Sequence, residues 1–210
     1  MPNPGFCPTF TPGQTYPIML TPDELNGLLD FLRDAERLKN TTRTAYTSEG
    51  RRESVAEHTW RLCLMALVLA PYVPDVDLAR LIKICLVHDL GEALSGDIPA
   101  PLQTGAKTDR ERRDLRTLLA PLPPPLRDEI LALWEEYEQA ATPEARLAKA
   151  LDKLETILQH NQGRNPDDFD YRFNLDYGRR YTHGHPLIEA IRAVLDAETE
   201  RRAREAGQQD

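Results

Sequence analysis

The stretch LIKICLVHDLGEALSGD, Leu81 to Asp97, carries an apolar helical pattern that ends abruptly in His88, Asp89, Glu92 and Asp97. Burying an imidazole and a carboxylate side by side is costly unless something pairs with both, and a divalent metal is the commonest partner that can. Two further ligand types fall on inward helical positions. Val55, His58, Leu62, Met65 and Leu69 are spaced three, four, three and four, so His58 lies in an inward row. Asp152 sits at the edge of the stripe Leu147, Leu151, Leu154 and Leu158, over Ala145 and Ala148, which leave room around its carboxylate.

Two neutral imidazoles and two carboxylates suit one borderline divalent ion per subunit, among Co, Mn, Fe, Ni, Zn or Mg, with open positions for water. Such an ion lowers the pKa of bound water and can polarise a phosphoryl oxygen. Taken singly, each residue is weak. A lone inward histidine is more often a satisfied core residue, and Asp152 has Lys149 and Lys153 as surface partners. The inference rests on three separate helices each aiming a ligand type inward.

Those helices can be placed from their caps and periodicity. Thr21-Pro22-Asp23-Glu24 opens a helix whose apolar face, Leu25, Leu28, Leu29, Leu32 and Leu38, runs to about Lys39. Asn40 to Arg52 is polar and reads as a loop, and Ser54-Val55-Ala56-Glu57 caps the His58 helix, which Pro71 and Pro74 terminate. Asp75 can cap the next helix, whose apolar residues Leu78, Leu81, Ile82, Ile84, Cys85 and Leu86 surround its axis. Gly91, Gly96, Pro99 and Pro101 predict a tight loop, with helices following over about Lys107 to Leu119, Leu126 to Gln139 and from Thr142 onward. A polar loop, Asn161 to His185, precedes a last helix from Pro186. Its GRNPDDFDYRFN segment reads as surface loop, with closure over a substrate or contact with a partner subunit as the alternative. No segment sustains period-two alternation.

The fold class is therefore all-α: a single-domain helical bundle of about seven helices over 21–205, after a Pro-rich arm at 1–20 and before a frayed tail at 206–210. The composition, 29% charged and 40% hydrophobic, is that of a globular protein, and a net charge of -8 argues against nucleic-acid binding through phosphates. Three scattered cysteines, Cys7, Cys63 and Cys85, give no disulfide framework and fit the cytoplasm. No export signal and no membrane span are read, since no apolar run reaches the ~18 residues one needs.

The order H…HD…D, with HDLGE and a following GD, resembles the HD-domain metal-dependent phosphohydrolases. RRESVAEH, VHDLGEALSGDIP and KALDKLE are most similar to the 5′-deoxynucleotidase branch, with likeness from about Leu38 to Leu158. That resemblance implies metal ligation by His58, His88, Asp89 and Asp152. It implies that Glu92 orients or protonates at the reacting centre and that Asp97 lies beside the sugar or the attacking water. It implies further that Arg43 contacts the substrate phosphate, with a solvated loop charge as the alternative. The family commonly has Trp after that arginine, where this chain has Thr44, so an aromatic wall is missing or supplied elsewhere, with Tyr46 as one candidate. The resemblance also suggests a homodimer.

The expected activity is metal-dependent hydrolysis of (deoxy)nucleoside 5′-monophosphates, small-molecule nucleotides, to nucleoside and phosphate. Two alternatives stand beside it: an HD-type hydrolase of a dNTP, cyclic nucleotide or non-nucleotide phosphate, and a non-catalytic nucleotide-sensing module. His160, His183 and His185 are not recruited to a second metal.

Overall fold

A computed structural model describes residues 20–98 and 107–208. Among them are seven helices of ten residues or more and two of a single turn. The expected Pro-rich arm, Cys7, Pro99 and Pro101 lie outside the described residues.

Helix α1, Pro22–Ala35, begins at the predicted capping box, with Thr21 and Glu24 satisfying each other's backbone N–H, and continues into a 3-10 turn, Glu36–Lys39. The stretch read as a loop is instead a short antiparallel hairpin, β1 (Thr42–Tyr46) and β2 (Arg52–Ser54), with Thr42 opposite Ser54 and Tyr46 opposite Arg52. Strands of five and three residues are too short to show alternation. The hairpin leads straight into α2, Val55–Leu69, where Ser54 caps the helix and Glu57 returns a carboxylate to the Ser54 N–H at 2.8 Å.

Helix α3, Leu78–Val87, is capped by Asp77 rather than by the expected Asp75, through the N–H groups of Ala79 and Arg80. Of its apolar residues, Leu81, Ile84, Cys85 and Val87 face inward while Leu86 is half exposed. The turn after it holds a one-turn helix, α4 (Glu92–Ser95), rather than a plain loop. A Cβ on Gly91 would stand 2.9 Å from the Glu111 carbonyl of the helix that follows, so only glycine lets the two backbones approach this closely.

Helices α5 (Lys107–Leu119) and α6 (Pro124–Gln139) follow, and Pro124 and Pro125 prove to be the first residues of α6 rather than part of its preceding linker. Helix α7, Pro143–Gln162, is the axis of the fold: its stripe, Leu151, Leu154 and Ile157, meets Leu62 of α2, Leu81 and Ile84 of α3 and Trp134 of α6 in one core. Each such side chain contributes roughly 1.5–3 kcal/mol through apolar area removed from water. The expected loop after α7 contains a one-turn helix, α8 (Phe173–Asp176), and a 3-10 turn, Arg179–Tyr181, before α9, Pro186–Glu205. Gln208, in the stretch expected to fray, binds the Tyr171 N–H and the Phe169 carbonyl.

Among the described residues no helix is long and apolar enough to cross a membrane. Cys63 and Cys85 are free thiols.

Candidate active site

Three elements of the core deliver the predicted ligand types to one place. His58 lies one turn into α2 with no solvent exposure, His88 terminates α3 with Asp89 after it, and Asp152 sits mid-way along α7. His58 Nε2 is 3.4 Å from Asp152 Oδ1 and 3.9 Å from Asp89 Oδ2, and His88 Nε2 is 3.0 Å from Asp89 Oδ2. Donor atoms of His58, His88 and Asp152 all fall within 4.8 Å of one another. Both Nε2 atoms are buried, yet neither makes a hydrogen bond, an arrangement that would be costly unless their lone pairs are meant for a cation. The donor set fits a divalent ion.

The other ring nitrogens decide the tautomers. His88 Nδ1 donates to the Cys85 carbonyl at 2.8 Å, and His58 Nδ1 donates to the carboxylate of Glu155, which is fully buried and held in turn by Arg61 Nε at 2.6 Å. With Nδ1 as the donor in each ring, Nε2 is the nitrogen that would present its lone pair to a bound cation. Asp152 is oriented likewise: its Oδ2 accepts from the Tyr137 hydroxyl at 2.7 Å and contacts Lys153 Nζ at 2.9 Å, leaving Oδ1 beside His58.

Glu53, His58 and Glu155 form a second buried group with ligand-type spacing. Arg43 Nε lies 3.5 Å and Arg61 Nη2 4.0 Å from the Glu53 carboxylate. Two guanidiniums already neutralise this group, so it reads as support for His58 rather than as a second ion site. Sequence reasoning passed over Glu155, although it follows Asp152 by three residues on the same helical face.

The charges follow from these contacts. Burial and Arg43 push the His58 pKa down, but Glu155 and Asp152 outweigh them and hold it at about 9 when no cation competes. Burial works against the Asp89 carboxylate too, and His88 and His58 nevertheless keep it well below the ordinary range. Burial raises Glu53 to about 7, with Glu155 adding to the effect and Arg43 opposing it.

A cavity of about 920 Å³ opens over this cluster, lined at this end by Arg43, Thr44, His88, Asp89, Glu92, Asp97 and Asp152. That volume lies near the top of the ~300–1,000 Å³ typical of small-molecule sites and is far more than a phosphate requires. Arg43, which the sequence left open as a solvated charge, is mostly buried on β1. Its Nη2 donates to Thr156 at 3.0 Å and its Nη1 lies 3.6 Å from Asp89 Oδ2. Glu92 is buried at the start of α4, while Asp97 and the exposed Thr44 sit on the cavity wall. Tyr46 is not among the lining residues; its ring lies near the Arg52 guanidinium instead. His160 lines the cavity, yet its Nδ1 is engaged with Asn174 and burial lowers its pKa to about 4, so it stays neutral.

Fold and site together define a helical protein with a candidate metal centre at one end of a nucleotide-sized cavity. The HD domain family model matches residues 35–192, and the chain belongs to that family. It is 36% identical to human 5′-deoxynucleotidase HDDC2 over 187 residues, covering 81% of this chain and 85% of the human protein. It is 35% identical to the 5′-deoxynucleotidase hdd1 of Schizosaccharomyces pombe, over 63% of this chain and 70% of the yeast protein. A crystal structure of a predicted metal-dependent phosphohydrolase from Magnetospirillum magnetotacticum superposes with a TM-score of 0.76 at 32% identity, covering 86% of this chain and 95% of that one. The family and this neighbour imply a divalent metal.

Proposed function

We propose that this protein hydrolyses deoxynucleoside 5′-monophosphates to nucleoside and phosphate, using one divalent ion held by His58, His88, Asp89 and Asp152. The observation that carries the reading is the convergence of two buried, unbonded imidazole Nε2 atoms with Asp89 and Asp152 beneath a cavity that also holds Arg43 and Glu92. The names of the human and fission-yeast relatives support the substrate class. When bound, the ion supplies an activated water and polarises a phosphoryl oxygen.

The chain's own residues do the rest. Arg43 offsets the charge that builds on the phosphoryl oxygens, and its contacts with Thr156 and Asp89 hold it in place before substrate arrives. As the water oxygen bonds to phosphorus and the bond to the 5′-oxygen breaks, Glu92 would take the proton that the water loses and pass it to the leaving 5′-oxygen. Asp97, on the cavity wall, would hold the sugar or the attacking water. Thr44 leaves the sugar less enclosed than an aromatic side chain would, so discrimination against ribose is weak in this chain.

We further propose a homodimer and a cytoplasmic location. The row Trp60, Leu64, Leu67 and Val68 on the outer face of α2 supports the first, and the free thiols support the second.

The test is phosphate release from a nucleotide panel across divalent metals. Asp89→Ala and Glu92→Ala should each lower turnover by orders of magnitude, Glu92→Ala without loss of metal. Full turnover in both variants, or release of triphosphate from a dNTP in place of phosphate from a monophosphate, would refute the reading.

A further inference from the structure

Most of the cavity wall near the ligand cluster is charged, but the segment after α7 adds Phe169, Phe173 and Tyr177 to it. Phe173 and Tyr177 face each other with ring centroids 5.3 Å apart and planes tilted by 34°. Lys153 ties this pair to the site. Its ammonium contacts Asp152 Oδ2 at 2.9 Å, accompanies the Tyr177 hydroxyl at 3.2 Å, and lies 5.2 Å from the Tyr177 ring centroid. One ammonium group therefore separates the aromatic wall from a candidate metal ligand, a span that the ribose of a nucleotide can bridge.

The wall is fixed rather than mobile. Arg192, almost wholly buried in α9, donates to the carbonyls of Asn174, Leu175 and Tyr177 at 2.7–2.8 Å. Gly178 has φ +69°, and a Cβ there would stand 2.6 Å from Lys153 Cβ, so the turn lies directly on the stem of that lysine. Three carbonyls on one guanidinium and a glycine pressed onto α7 spend folding energy on holding two aromatic rings at a cavity. Apolar aromatic surface preorganised beside charged groups is what a planar heterocycle stacks on.

We propose that Phe173, backed by Tyr177, is the surface on which the nucleobase of the substrate stacks, so that this segment sets affinity for the base while the charged end handles the phosphate. The inference rests on the proposed nucleotide hydrolysis and gives the α7–α9 segment the base, a role separate from the sugar contact at position 44. Stacking on a flat ring tolerates any base, so the wall favours nucleotides over base-free sugar phosphates without choosing strongly among purines and pyrimidines.

The experiment compares deoxyadenosine 5′-monophosphate with 2-deoxyribose 5-phosphate, which has no base, in the metal-loaded wild type, Phe173→Leu and Phe173→Ala. Leucine keeps an apolar side chain in the wall and removes the ring. The expected result is a rise of about tenfold in KM for the nucleotide in Phe173→Leu, with kcat nearly unchanged and both constants for the base-free phosphate unaltered. The base-free substrate also reports whether either variant still folds. An unchanged nucleotide KM, or equal changes for both substrates in a folded variant, overturns the stacking role. A wild type that releases phosphate from neither substrate overturns the functional reading itself, which separates the two failures.

Discussion

Glu155→Gln tests whether the buried carboxylate behind His58 tunes the metal site or merely fills space. In the wild type, Glu155 accepts from His58 Nδ1, with both side chains fully buried, and is held by the partly buried Arg61 at 2.6 Å. Glutamine keeps the volume and can still accept that bond, but it removes the anion. Losing a partner of this kind typically weakens metal affinity by about 10–100-fold, or about 1.4–2.7 kcal/mol. The same carboxylate also makes His58 more basic: with a pKa of about 9, the metal-free imidazole carries a proton on Nε2 at pH 7.5 that must leave when an ion binds. Wild-type affinity should therefore rise with pH up to about 9 and then level off, releasing about one proton per ion at pH 7.5. In Glu155→Gln the plateau begins at lower pH, proton release shrinks, and the plateau affinity falls. Near neutrality the weaker proton competition offsets part of the loss, so a measurement at a single pH would mislead. Calorimetry in two buffers of different ionisation enthalpy, at pH 7.5 and 9.5, reads both quantities, and metal-free melting curves check the fold. If a well-folded variant matches the wild type in proton count and in affinity at pH 9.5, Glu155 does not act through His58.

Three other perturbations follow from the geometry. Arg43→Lys keeps a charge but loses the planar fork that reaches Thr156 and Asp89 together, so kcat/KM should fall at least tenfold and recover little relative to Arg43→Ala; parity with wild type in steady-state kinetics would show that charge alone suffices. His160 is held neutral by burial, its pKa falling from 6.5 to about 4. Stability from this group is complete above pH 6.5 and lost as pH drops toward 4, by up to ~3 kcal/mol. Urea unfolding of the wild type and His160→Gln at pH 7 and 4.5 should show a shallower acid loss in the variant; identical losses would count against it. Gly91→Ala places a Cβ 2.9 Å from the Glu111 carbonyl, so α4 must shift and carry Glu92 with it. Thermal melting should drop by several degrees and turnover by more than the stability change explains, and an unchanged melting temperature would contradict the close approach.

What the sequence could reveal divides along physical lines. Ser54 and Glu57, Thr21 and Glu24, and the inward positions of His58, His88 and Asp152 were legible because caps and helical periodicity are local properties of the chain. The hairpin at Thr42–Ser54 was not, since its strands are too short for alternation and its pairing is not encoded within either one. The cap of α3 was missed by two residues because Asp75 and Asp77 have equal intrinsic ability, and the choice falls to tertiary context: Glu144 of α7 accepts the Asp77 N–H at 3.0 Å. The same distinction explains the site. Ligand types announce themselves because carboxylates and imidazoles are anomalous on apolar rows, whereas Glu155, Tyr137 and Lys153 look ordinary until the fold aims them at His58 and Asp152. The region read as surface loop, Asn161 to His185, was the least legible of all. Its order depends on Arg192 of α9 gathering carbonyls from residues 15 to 18 positions earlier, and a polar, aromatic segment gives no local sign of that. The metal half of the site is thus written in residue types on helices that fold for their own reasons. The half that would distinguish one substrate from another depends on long-range contacts, which is why the chemistry of this chain could be argued from sequence sooner than its specificity.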